Sequence, residues 1–167
     1  MALNIVLYEP EIPANTGNIG RTCVATNTRL HLIEPLGFSL EEKQLKRAGM
    51  DYRDIADIRI HPDWDAFLKE CKGELYFTTR YGHLTPDSFV YPTDRDIYFV
   101  FGKESTGIPK PILEAHQDHC IRIPMDEKAR CLNVSNTAAI ILYEALRQRN
   151  FAGLSFTDKL KDGVLLY

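Results

Sequence analysis

Short apolar runs of β-type composition alternate with helix-opening signals along nearly the whole of this 167-residue chain. That alternation narrows the fold more than any single motif. Leu3 to Tyr8 reads as a buried strand, Asn15 to Thr28 as a helix with Asn15, Thr16 and Asn18 as candidate caps, and Leu30 to Ile33 as a second strand. Ser39-Leu-Glu-Glu42 has the pattern of a capping box, in which a hydroxyl and a carboxylate three residues apart satisfy each other's amides, and it predicts a short helix toward Arg47. A strand near Ile58 to Ile60, a helix capped by Asp63 and running through Cys71, a strand at Leu75 to Thr79 and a strongly apolar strand at Asp96 to Phe101 follow. Pro109 suits a first helical turn, where a missing N–H costs nothing, and opens a helix to about His116. Cys120 to Ile123 reads as a further strand and Val134 to Arg149 as the last long helix. Strands that take turns with helices are joined by crossovers, and the layer arrangement that buries both is an α/β fold: a mostly parallel sheet with helices on both faces. We expect one domain over residues 1–167.

Composition removes several classes of function. Hydrophobic residues make up 44% and charged residues 26%, the balance of a soluble globule. No apolar run reaches the length of a membrane span, and Met1 to Tyr8 is too short and too weakly charged for a signal peptide, so a cytoplasmic location is expected. Cys23, Cys71, Cys120 and Cys131 are scattered without a Cys-x-x-Cys pair, which fits free thiols in a reducing compartment. His116 and His119 stand three apart, but no third and fourth ligand lies nearby, and they read as a surface pair with no metal. The net charge of −3 argues against broad electrostatic binding of nucleic acid while leaving room for local basic patches. Lys43, Lys46, Arg47 and Arg53 form one such patch; Lys103, Lys110, Lys128, Arg130, Arg147 and Arg149 are others.

Three stretches break the apolar pattern. Pro13-Ala-Asn-Thr-Gly-Asn-Ile-Gly-Arg-Thr22 enters the first helix and sets Asn18 and Arg21 three apart on one helical face, where Arg21 is placed to hold a phosphate. Its spacing is neither the Gly-x-Gly-x-x-Gly fingerprint nor a P-loop. Phe99-Val-Phe-Gly-Lys-Glu-Ser-Thr-Gly107 carries a buried strand into two glycines that flank Glu104; glycine allows close backbone approach or positive φ, and Glu104 is available to ligand hydroxyls or loop amides. Ile121 to Asn136 runs from a strand through an irregular stretch into Asn133, Ser135 and Asn136 at the mouth of the last helix. One of these would suffice as a cap, and their neutral donors and acceptors suit the edge of an adenine or a ribose. No Ser-His-Asp set, carboxylate pair or metal cluster is legible; a nucleotide-like ligand with an arginine nearby is what remains.

In this order, Asn-x-x-Arg-Thr at Asn18 to Thr22, Phe-Gly-x-Glu-x-x-Gly at Phe101 to Gly107, and Ile-Pro-Met with Leu-Asn-Val-Ser-Asn at Ile123 to Asn136, the chain resembles the SpoU/TrmH branch of the SPOUT methyltransferases. The resemblance runs from about Asn4 to Arg149. Asn4 to Asn18 and Leu45 to Tyr52 look closer still to those members that methylate the ribose 2′-hydroxyl of the tRNA wobble nucleotide, cytidine or uridine. It implies S-adenosyl-L-methionine as cofactor, tRNA as substrate, a homodimer, and a C-terminal trefoil knot that general rules of chain connectivity would exclude. It also implies cofactor contacts at Phe77, Gly102, Ile123, Cys131 and Leu132, largely through backbone atoms, with Glu104 bordering the pocket, Arg21 as the catalytic arginine and Asn133 beside the active site. Tyr143 falls in the Tyr-Glu-Ala stretch that follows the third motif. Cys131 stands where a serine is common and Phe77 where a leucine is common; backbone recognition tolerates both.

The acidic chain is reconciled with tRNA if Arg21 of one subunit faces the cofactor of the other and basic residues of both line a groove, with Lys43, Lys46 and Arg47 reaching anticodon-stem phosphates. The chain begins almost at its first strand, which favours a small substrate reached by the catalytic domain alone. The alternatives are methylation at another tRNA or rRNA position, a non-catalytic RNA-binding module of the same fold, and a flavodoxin-like nucleotide-binding regulator. The last long helix is apolar on nearly every side, from Ala138 to Leu146, and is expected either at the centre of the fold or against a partner. In the tail, Phe156, Leu160, Val164 and Leu165 are expected to dock a short helix or meet another subunit.

Overall fold

The alternation folds into one six-stranded sheet. In chain order the strands are β1 (Leu3–Tyr8), β2 (Arg29–Ile33), β3 (Ile58–His61), β4 (Glu74–Thr78), β5 (Ile97–Phe101) and β6 (Cys120–Ile121). Among the described residues the helices are α1 (Pro13–Ala25), α2 (Trp64–Glu70), α3 (Lys110–Glu114) and α4 (Val134–Gln148), with short 3-10 turns at Pro86–Ser88 and Gln117–His119. The computed structural model describes residues 1–39 and 57–157; the helix expected over 39–47, the basic residues Lys43, Lys46, Arg47 and Arg53, and Leu160, Val164 and Leu165 lie outside the described residues.

Every strand pair is parallel, and the spatial order is β3-β2-β1-β5-β4-β6. Successive strand side chains point to opposite faces. Ile5, Leu7, Leu30, Leu32, Tyr76, Phe99 and Phe101 therefore meet Ile19 and Cys23 of α1 and Ala138, Ile141, Leu142 and Ala145 of α4. Val6, Ile33, Phe77, Tyr98 and Val100 meet Phe67 of α2 and Leu113 of α3 on the other face. The two central strands leave the sheet in opposite directions. β1 leads through α1 to β2 on one side, whereas β5 is followed by α3 and β6 on the other. The carboxyl ends of β1 and β5 thus form a switch point, where open α/β sheets place their ligand crevice.

A buried polar chain crosses the β1–β2–β3 half. Asn4 Nδ2 donates to the Ile97 carbonyl at 3.0 Å, Asn4 Oδ1 lies 3.3 Å from His31 Nε2, and His31 Nδ1 lies 2.9 Å from His61 Nε2. Phe67 and Tyr98 pack edge-on around these imidazoles. Burial pushes His31 down to about 3 and also lowers His61, so both are neutral at ordinary pH.

Several expectations need correction. α1 starts at Pro13 with Ile12 as its cap residue, so Asn15, Thr16 and Asn18 sit inside the helix rather than capping it. β6 ends at Ile121 instead of Ile123; the next amide, Arg122 N, faces outward and donates to the Leu84 carbonyl at 2.8 Å in a single parallel bridge. His116 stacks on Phe77 and His119 on Tyr76, which project from opposite faces of β4, so the two are half-buried and do not share a helix face. Lys103, Arg147 and Arg149 are engaged within the chain, by Glu9, by Glu144, and by the Met1 and Pro92 carbonyls. α4 is not apolar all round in its setting: one side is core, while Ile140 and Tyr143 on the other are 45% and 47% exposed. Among the described residues no helix is long and apolar enough to cross a membrane.

Candidate active site at the carboxyl edge of the sheet

The first turn of a helix leaves amides without intrahelical partners. At α1 the local sequence, Ile12-Pro-Ala14, offers no capping side chain, and none caps it. The turn after β5 supplies an acceptor to the two amides just ahead of the helix and to a side chain of its first turn. Glu104 Oε2 accepts from Glu11 N at 2.9 Å, and Oε1 accepts from Ile12 N at 3.3 Å and from Asn15 Nδ2 at 3.0 Å. A carboxylate at a helix N-terminus is also favoured by the helix dipole. The exchange is mutual: the Glu11 carboxylate accepts from Ser105 N at 2.9 Å and Ser105 Oγ at 2.8 Å, bonds that hold it below the usual carboxylate range. Lys103 adds an ion pair with Glu9.

Asn15 carries the network onward. It is 7% exposed, and its Oδ1 accepts from Asn133 Nδ2 at 3.0 Å. Asn133 in turn caps α4, its Oδ1 accepting from Ser135 N at 2.9 Å and Ser135 Oγ at 2.6 Å. One residue from each of the three motif stretches, Asn15, Glu104 and Asn133, is therefore bonded in series at the switch point. Glu104 and Asn133 thereby acquire positioning duties that their motifs alone did not reveal.

Glycine closes the β5 turn. A Cβ on Gly102 would stand 2.2 Å from the Gly107 carbonyl carbon, and Gly107 has φ +76°, with its amide donating to the Lys103 carbonyl at 2.9 Å. Both glycines are thus demanded by the turn that aims Glu104.

The neighbouring strand ends complete the edge. Phe77 is wholly buried, against Trp64 and His116, so the accessible backbone begins with the following Thr78 and Thr79. Thr78 Oγ1 is buried and has no hydrogen-bond partner among the described residues. Beyond β6 the loop carries half-buried Ile123 and exposed Cys131 and Leu132 up to Asn133. Asn18 and Arg21 are both exposed on α1. Arg21 follows buried Asn15 by six residues, roughly 9 Å along the axis and about 120° around it, on the exposed side of the helix. Sequence reasoning missed Glu11, the linking role of Asn15 and the hydroxyl of Thr78; a threonine pair at the carboxyl end of an apolar strand was the available signal. Among the described residues no group of His, Cys, Asp or Glu is placed to hold a metal ion.

Comparison with known proteins bears on this edge. Residues 2–143 match the family described as SpoU rRNA Methylase. A Geobacillus stearothermophilus protein is 53% identical over 158 residues, covering 93% of this chain and 100% of that protein. A Methylovorus glucosotrophus protein named tRNA (cytidine(34)-2′-O)-methyltransferase is 48% identical over 151 residues, covering 90% of this chain and 97% of its own length. A solved structure described as giving structural insights into the 2-OH methylation of C/U34 on tRNA matches with a TM-score of 0.80 at 38% identity, over 89% of this chain and 97% of that one.

Proposed function

This chain belongs to the SpoU rRNA Methylase family, and on that premise we propose that it methylates the ribose 2′-hydroxyl of the wobble cytidine or uridine in tRNA anticodons. The observation that carries the reading is the series Glu104–Asn15–Asn133, which fastens the three motif stretches to one another at the switch point. The methyl donor is S-adenosyl-L-methionine, which supplies an electrophilic sulfonium methyl when bound. The residues at the edge fit it. Among the described residues Thr78 Oγ1 is a buried hydroxyl lacking a partner, and Cys131 and Leu132 are exposed beside neutral Asn133 and Ser135, a set suited to the uncharged edges of an adenine and a ribose. Ile123 and Gly102 border the same edge.

The chain's task is then to align the 2′-oxygen and to stabilise charge as its proton leaves. Alignment alone is worth several kcal/mol, by roughly the effective-molarity argument. We assign charge stabilisation to Arg21. A guanidinium is protonated at all ordinary pH, which disfavours it as a base and suits it to hold the adjacent phosphate and the developing alkoxide. Because Arg21 lies on the outer side of α1, we assign it to the site of a second copy. The solvent sides of α1 and α4, with Ile12, Ile140 and Tyr143 exposed, form the homodimer face. The reading also takes in a trefoil knot near β6, which has β4 on one side and a parallel bridge from Leu84 to Ile121 on the other. It further takes in one catalytic domain over 1–167, a cytoplasmic location, and Lys43, Lys46 and Arg47 as contacts to anticodon-stem phosphates.

The deciding experiment is methyl transfer to total tRNA from a strain lacking this protein, followed by nucleoside mapping. Label in the wobble ribose is expected. Label at another nucleotide removes the wobble assignment, and no label removes the activity. Charge reversal at Lys43, Lys46 and Arg47 is expected to weaken tRNA binding and flatten its salt dependence.

A further inference from the structure

The turn that follows β4 presents chemistry that the methyl-transfer site does not use. Gly82 N donates to the Thr79 carbonyl at 3.3 Å, closing a four-residue turn whose two corner residues are Arg80 and Tyr81. Corner positions of such turns ordinarily go to glycine, proline, asparagine, aspartate or serine. Here they hold a guanidinium and a phenol ring, and Tyr81 is 65% exposed. The turn is held from several sides. Thr79 N donates to the Ile121 carbonyl at 3.0 Å, Tyr81 N donates to Thr79 Oγ1 at 3.2 Å, and Arg122 Nη1 donates to the Arg80 carbonyl. Gly82 lies so close to β6 that a Cβ there would stand 2.7 Å from the Cys120 carbonyl oxygen. A clamped turn carrying an exposed aromatic gains nothing for the fold from that ring.

The pair is ordered before any ligand arrives. The Arg80 guanidinium lies 4.9 Å from the Tyr81 ring centroid and donates to its hydroxyl at 2.7 Å, leaving the rest of the ring to solvent. Arg122 is exposed beside it. An aromatic face with two guanidinium groups next to it has the composition that recognises unpaired RNA: the ring stacks a splayed base and the cations meet the backbone phosphates. The turn leaves β4 directly after Thr78, so it stands beside the candidate cofactor edge. We propose that Arg80, Tyr81 and Arg122 form a docking point for an unstacked base and its phosphate in the RNA loop, next to the nucleotide whose ribose is methylated. This inference rests on the methyl-transfer reading and adds a positioning site to it.

Steady-state methyl transfer to an anticodon stem-loop tests it. Tyr81→Ala is expected to raise KM for the RNA about tenfold, the effect of losing one stacked base, with kcat and S-adenosylhomocysteine binding unchanged. Tyr81→Phe keeps the ring but loses the hydroxyl that Arg80 meets, and its KM is expected to lie between those of the wild type and Tyr81→Ala. Arg80→Gln is expected to reduce the salt dependence of KM by about one phosphate contact. Stem-loops with an abasic nucleotide at each position flanking the target identify the docked base: at that position the wild type should fall to the level of Tyr81→Ala, and the variant should lose nothing more. An unchanged KM for Tyr81→Ala, or an equal response of wild type and variant at every abasic position, overturns the inference while leaving the methyltransferase reading intact. A wild-type chain that methylates no tRNA overturns both.

Discussion

Two side-chain networks run through this sheet, and they differ in what surrounds them. Asn4, His31 and His61 are at most 2% exposed. Their hydrogen bonds have a fixed direction: Asn4 Nδ2 gives its protons to backbone carbonyls, so its Oδ1 must accept from His31 Nε2–H, which leaves His31 Nδ1 to accept from His61 Nε2–H. Glu104, Asn15 and Asn133 are likewise bonded in series, but Ser105 and Asn133 at the margins of that series stand in solvent. The first network is complete within the chain, and disturbing it changes stability. The second lies at the switch point, where we place the methyl donor, and disturbing it is expected to change binding before it changes whether the chain folds.

The severest test of this contrast is His31→Ala. It leaves a cavity among Phe67, Tyr98 and His61 and orphans the Asn4 oxygen, and unfolding free energy should fall by about 3–5 kcal/mol in urea titrations. Methyl transfer per folded molecule should persist at low temperature; a selective loss of catalysis would erase the distinction between the networks.

Acid probes the same region more gently. Burial first, then the charge of His61, holds His31 near 3, whereas the unfolded residue titrates near 6.5. The unfolded state therefore takes up the proton first. Stability is complete above 6.5 and is lost as pH falls toward 3, at about 1.4 kcal/mol per pH unit for one histidine. Between pH 6.5 and 5 the urea midpoint should report a loss of about 2 kcal/mol. A flat profile across that interval would place the proton elsewhere.

Glu104→Gln sharpens the comparison from the other side. The amide retains one oxygen and turns the other into an NH2 group, which faces either the Glu11 amide or the Ile12 amide and Asn15 Nδ2, at a stability cost of about 1–2 kcal/mol. Its kcat/KM should fall further than that of the His31 variant measured well below both melting temperatures. Asn133→Ser should have the smallest effect on folding, about 0.5 kcal/mol or less, because serine still caps α4. It removes the bond to Asn15, however, and kcat/KM should drop while thermal unfolding barely moves. Arg21→Lys and Arg21→Ala complete the set for the reaction itself. If fork geometry matters, both should lower kcat about 10²-fold or more with cofactor binding intact; substantial activity in the lysine variant would mean that charge alone suffices.

The strands were legible because each is a short apolar run bounded by turn residues, and β1, β2 and β5 fall within a residue of where the sequence puts them. Asp63 was legible as a cap because its acceptor reaches Ala66 N, three residues on, at 2.7 Å. What escaped the sequence is non-local. Asn15 looked like a cap because capping residues announce helix starts, yet the carboxylate that anchors the entrance of α1 is Glu104, 93 residues from Glu11, and no local pattern encodes that distance. β6 stops two residues short of its expected end, beside a single bridge to Leu84, 38 residues before Arg122. His116 and His119 were spaced as a pair, but aromatics on opposite faces of β4 drew them apart. Gly102 and Gly107 could be recognised as special without revealing that the need arises between the two of them and not from a ligand.

The borrowed acceptor of α1 also sets a timetable. The amides that lead into it, of Glu11 and Ile12, find their partner only once the chain has been made as far as residue 104 and the fifth strand has docked beside the first. A chain still emerging from the ribosome can assemble the first two strands, but the entrance of α1 lacks its carboxylate anchor until the later half arrives, so this edge of the sheet is among the last features to settle during synthesis.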